Sequence, residues 1–144
     1  MSDFLDKLHA DAFLGLLHAA LDPVPIVIYD GKVPDPLPDI NTSPWVIVYF
    51  DAGWPTDGAA NALDGKSATY VLRGYCHCVA GSMAGVRALT GQVRAALLNV
   101  RPTVAGRTCW PIDWYDGQPA NPDESLGKLA VNKLDIYEMK TGPG

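Results

Sequence analysis

The sequence predicts an α+β protein: a mainly antiparallel or mixed sheet of about five strands, with two α-helices packed on one face of it. Three observations carry this expectation. Apolar residues recur at helical spacing in two separated stretches, at 3–21 and 82–100. Around them lie runs rich in Val, Ile, Tyr and Trp, bounded by Pro, Gly and Asp. The later runs are joined by short connections, which suit antiparallel pairing. Neither an internal repeat nor a second-domain boundary is visible, so residues 1–144 read as one domain.

In the first helix, 3–21, the stripe is Phe4, Leu5, Leu8, Ala12, Leu16 and Ala20; Ser2 or Asp3 can cap it and Asp22-Pro23 stops it. Phe13, Leu14 and Leu17 widen the apolar surface, so this helix expects cover on more than one side. PIVIYDG is a short strand that turns at Asp30-Gly31. The segment at about 32–44, KVPDPLPDINTSP, contains four prolines and reads as a loop without ladder donors. PWVIVYFDAG is the second strand, and about 53–67 is a Gly- and Asp-containing loop that includes Trp54. ATYVLRGYCHCVAG is the third strand. It leads into a helix, SMAGVRALTGQVRAALLNV, capped by Ser82, with Val86, Leu89, Val93 and Leu97 facing the core. RTCWPIDWYDG is an interrupted strand and QPANPDES a loop. KLAVNKLDIYEMK is a last strand whose alternation through Leu129, Val131, Leu134, Ile136 and Tyr137 is imperfect.

Composition narrows the function classes. Hydrophobic residues make up 48% and charged residues 19%, enough to bury a core without staples. A net charge of −5 argues against a general nucleic-acid binder, which needs a basic face. Three cysteines are too few for a disulfide framework and suit a reducing, intracellular setting. No run approaches the roughly 20 apolar residues of a membrane span. MSDFLDKLHAD places charges where a signal peptide needs its apolar region, so cytoplasm is the expected setting.

The stretch GYCHCVAGS, 74–82, is the one that invites chemistry. In a strand Cys76 and Cys78 face one way and His77 the other, so the three cannot converge on one ion without a bulge. Structural zinc wants four ligands, and the next cysteine is the isolated Cys109. The two thiols share a face with Tyr70 and Leu72, which points to core packing. Gly81-Ser82-Met83-Ala84-Gly85 places its serine one position early for a nucleophile elbow, and Gly85 is followed by Val86 instead of the Lys of a phosphate-binding loop. His9 and His18 lie too far apart on one helix to share a site. Asp113 and Asp116 near Trp110 and Trp114 read as a polar turn. Arg87, Arg94 and Arg101 recur at heptad spacing and read as a solvated outer helix face, or else as a subunit contact or the lining of a DNA passage. No cofactor, metal ligand or catalytic residue is assigned.

What remains unusual is the pair of long loops, since loops beyond about 12 residues are functional or disordered more often than not. Trp54, Asp57 and Asn61 on the second loop, with Arg87 and Arg94 on the second helix, are the candidate contacts to other chains.

Tyr29-Asp30-Gly31 followed by Val33-Pro34, then Pro44-Trp45-Val46-Ile47-Val48, a strand ending in Gly74-Tyr75-Cys76, an amphipathic helix and paired final strands form a sequence of elements. This arrangement resembles the tail terminator, or head–tail joining, proteins of long-tailed bacteriophages. The resemblance implies a structural protein that closes into a ring, expected to be a hexamer. The ring would cap the tail-tube protein, stop its polymerisation and meet the head connector at the tail–neck junction, while DNA passes without specific binding. It implies assembly in the host cytoplasm and no catalytic residues. The alternatives are another neck or minor tail protein, a small thiol- or metal-dependent enzyme using Cys76, His77 and Cys78, and a ligand-binding module built around Trp110 and Trp114.

Overall fold

A computed structural model describes residues 2–24, 26–32, 44–51, 54–55, 69–123 and 130–143, with side chains described for all of these except 2–5, 54–55 and 123. The elements run α1 (Ser2–Leu21), β1 (Val27–Asp30), β2 (Trp45–Phe50), β3 (Trp54–Pro55), β4 (Tyr70–Ala80), α2 (Met83–Leu97), β5 (Arg107–Cys109), β6 (Asp113–Gly117), β7 (Asn121–Asp123) and β8 (Ala130–Pro143). All eight strands join one sheet whose main path is β1-β2-β4-β8-β5, with β3 added to β4, and β6 and β7 to β8. β1 and β2 are parallel, Val27 opposite Trp45, and every other pairing is antiparallel. A parallel pair needs a long crossover, which the chain between Asp30 and Trp45 supplies. Gly31 makes the exit from β1 by adopting φ +80°, a conformation open to glycine, and donates to Val48 O at 2.8 Å.

The spine is the pairing of β4 with β8, from Tyr70 opposite Thr141 to Ala80 opposite Val131. Alternation then sorts the side chains. Val46 and Val48 of β2, Cys76 and Cys78 of β4, and Tyr137 and Met139 of β8 face the helices. There they meet Phe13, Leu17 and Leu21 of α1 and Val86, Leu89, Val93 and Leu97 of α2. Each such aliphatic or aromatic side chain, fully buried, contributes about 1.5–3 kcal/mol. Both helices therefore lie on the same face of a mixed sheet, as the sequence predicts.

Four details differ from expectation. On α1 the fully buried residues are His9, Phe13, Leu17 and Leu21, one helical position from the predicted stripe, and Ala20 is exposed. The polar His9 hides that stripe in the sequence. α2 stops at Leu97, because Leu98 leaves the helical region and Asn99 takes φ 62°, so Arg101 lies beyond the helix and not on its outer side. The interrupted strand resolves into β5 and β6, and β7 forms inside the predicted loop QPANPDES. The imperfect alternation of β8 comes from charged residues on its inner side: Val131, Lys133, Asp135, Tyr137, Met139 and Thr141 share the face of the helices, while Leu134 and Ile136 face the other way. The predicted loops at 32–44 and 53–67 fall largely outside the described residues.

Candidate subunit-contact surfaces

The 74–82 segment is the end of β4, a turn and the first residue of α2. Cys76 and Cys78 are fully buried against the helices and His77 points to the opposite face. Burial pushes the Cys76 thiol well up and the Cys78 thiol up to about 12, so neither supplies a thiolate near neutrality. Cys109 is buried too, in the same core. Among the described residues no three His, Cys, Asp or Glu side chains are grouped to hold a metal. Ser82 caps α2, its Oγ accepting from Gly85 N at 3.0 Å. His9 and His18 are separate, as their spacing requires. His9 Nε2 lies 2.6 Å from Thr141 Oγ1 inside the core, and His18 Nδ1 lies 2.9 Å from Asp22 on the surface.

The sequence-predicted contact residues are not brought together into one patch. Arg87 and Arg94 are exposed on α2. Arg101 instead donates to Cys109 O at 2.8 Å, bracing the end of β5. Trp54 lies in β3, opposite Val71. Asp57 and Asn61 lie outside the described residues. The outer face of α2 also exposes Ala84, Ala88, Gly91 and Ala95, and α2 contains no acidic residue. A Cβ built at Gly91 meets nothing within 4 Å, so this face is low as well as basic.

The second surface is the sheet face turned away from both helices. Trp45, Ile47, Val79 and Ala130 form a small buried patch there, joined by Tyr29. Beyond it Tyr49 is 45% exposed, and Tyr75, His77 and Leu134 are partly open around a hollow of about 270 Å³. Tyr75 donates to Asp51 Oδ2 at 2.7 Å, which with partial burial raises its phenol above the usual range. Along the β8 side the face ends in β6. Asp113 is opposite Glu138 and Asp116 opposite Ile136, so both acids share this face. The bulge between Trp114 and Asp116 turns Tyr115, 48% exposed, over Arg73, whose guanidinium carbon lies 3.7 Å from the ring centre. Arg73 in turn donates to Glu138 at 3.0 Å.

Trp110 and Trp114 do not build a common pocket. Trp110 borders a hollow with Thr69, Asp113 and Lys140. Trp114 is opposite Tyr137, on the helix side, where its Nε1 donates to Asp135 Oδ1 at 3.1 Å. Asp135, only 1% exposed, is the polar residue that sequence reasoning missed. Lys133 Nζ donates to the same Oδ1 at 2.9 Å, and Arg94 Nη2 stands 3.9 Å from Oδ2. This carboxylate ties α2, β6 and β8 at one point. Gly117 lets β6 approach it, since a Cβ there would lie 2.5 Å from Oδ1. The signal for it in the sequence was the broken alternation of the last strand.

No protein-family model and no curated protein matches the chain. Among solved structures, it is similar to a chain of the virion of a native gene transfer agent (GTA) particle, with a TM-score of 0.58, 15% sequence identity, and 91% of this chain and 92% of that chain covered. The two chains share a fold along nearly their whole lengths.

Proposed function

We propose that this chain is a structural protein of a phage-like virion and, within that class, a tail terminator. The observation that carries the reading is the end-to-end likeness to a chain of a gene transfer agent virion. It agrees with the order of elements and with the Tyr29-Asp30-Gly31 and Pro44-Trp45 segments that resemble tail terminators. In this reading copies of the chain join head to tail and close into a six-membered ring. One side of the ring seats on the last ring of tail-tube protein and stops its growth; the other meets the head connector at the tail–neck junction. The protein is assembled in the host bacterial cytoplasm. A net charge of −5 per copy repels the phosphate backbone, so DNA passes through without specific binding. No step of this work is catalytic, and the buried, proton-holding thiols of Cys76 and Cys78 argue against the thiol-enzyme alternative.

The test is native mass spectrometry of the purified protein, followed by electron microscopy of its cognate tube protein polymerising with and without it. The expected outcome is a closed oligomer, and tubes that stop growing at ends bearing a ring. Tubes that lengthen regardless would remove the terminator role; a closed oligomer with no effect on tubes would point to another neck or minor tail protein.

A further inference from the structure

We infer that the open part of the sheet face away from the helices, around Tyr49, Tyr75 and Tyr115, is covered in one copy by the outer face of α2 from the next copy. This rests on the ring reading above and names the two surfaces that make the ring. Both helices lie on one side of the sheet. On the other side Trp45, Ile47, Val71 and Val79 are buried, whereas Tyr49 and Tyr115 are 45% and 48% exposed beside the partly open Tyr75, His77 and Leu134. Aromatic side chains of this kind are interface anchors, holding large contact area with little rotamer freedom to lose. Tyr115 is already held by Arg73, and Tyr75 by Asp51, so their order precedes docking.

The surface that fits is on the same molecule. A side chain standing up from a sheet needs a low partner, and α2 offers Ala84, Ala88, Gly91 and Ala95 in a row at helical spacing. The charges select it over α1. The margin of the open part of that face carries the exposed Asp113 and Asp116, neither within ion-pairing distance of a described basic side chain. α2 carries no acid; its Arg94 reaches back to Asp135, and its exposed Arg87 has no ion-pair partner among the described residues. On α1, by contrast, the described exposed charges already have partners, Lys7 pairing with Asp11 and Asp22 lying within hydrogen-bond distance of His18. The two complementary surfaces lie on different parts of one chain, so each copy presents one to each neighbour. That contact is heterologous and propagates around a ring.

The experiment is a charge exchange at two exposed positions, Arg87→Glu and Asp116→Arg, read by native mass spectrometry and sedimentation. A ring that forms only on tube ends is read there by electron microscopy. Each single variant is expected to weaken assembly at least about tenfold, since like charges then face each other. Mixing the two variants is expected to restore even-numbered rings, because the altered surfaces pair with each other and the unaltered ones likewise. A wild-type ring that survives both single variants, or variants that the mixture fails to rescue, overturns this inference and leaves the ring reading standing. A wild-type chain that stays monomeric both free and on cognate tubes overturns the two together.

Discussion

Gly74 is where the Phe13 ring of α1 rests on the sheet. A Cβ there would lie 2.5 Å from Cζ of Phe13, a ring that is itself fully buried and set edge-on to Phe50 at 5.3 Å. Gly74→Ala is expected to force that ring aside and destabilise the protein by about 1–3 kcal/mol, visible in urea melts as a lower midpoint with an unchanged slope. His77 gives a pH dependence. Burial lowers its pKa below the usual 6.5, so the unfolded chain binds a proton that the folded one refuses. Stability should therefore be complete at neutral pH and fall as pH drops below about 6.5. His77→Gln should flatten that part of the curve; a melting temperature that falls equally in both proteins between pH 7.5 and 5 would place the acid sensitivity elsewhere. At this scale the sequence was readable where chemistry follows alternation, as with Cys76, His77 and Cys78. It was unreadable where a polar residue is buried by a partner distant in sequence. His9 is held by Thr141, and Asp135 by Trp114 and Lys133.

At the scale of elements, α2 was the most legible. Its start at Ser82, its core stripe and its basic outer side all follow from local sequence, and only its end needed the positive φ of Asn99 to be seen. Ser82→Ala removes the acceptor for Gly85 N and should cost about 1 kcal/mol, with Ser82→Asp recovering it, in thermal or chemical melts. A variant as stable as the parent would mean that the turn after β4, not the cap, holds the helix start. α1 was legible as a helix but not in its orientation, because its buried side runs through a histidine. The strand after α2 was legible only as interrupted. Its split into β5 and β6 follows from how each registers on β8, Cys109 opposite Thr141 and Asp113 opposite Glu138, which no local pattern encodes.

For the whole molecule, fold class came from the order of elements, and the likeness to a gene transfer agent virion chain at 15% identity says that this order can persist when few residues do. The candidate site was less legible, for a physical reason: contact surfaces are made of exposed positions, where sequence is least constrained by packing. The exposed side of α2 with Arg87 and Arg94 follows from helical spacing, whereas the open part of the sheet face does not, since alternation reveals that a strand has two sides but not which one the helices pack against. A further consequence lies in β8. Every strand it pairs with, β4, β5, β6 and β7, precedes it in the chain. During synthesis the growing polypeptide thus holds its central strand with one edge unfilled until residues 130–143 leave the ribosome. Until those residues emerge, β4 keeps an unpaired edge, and the sheet can close only after that moment.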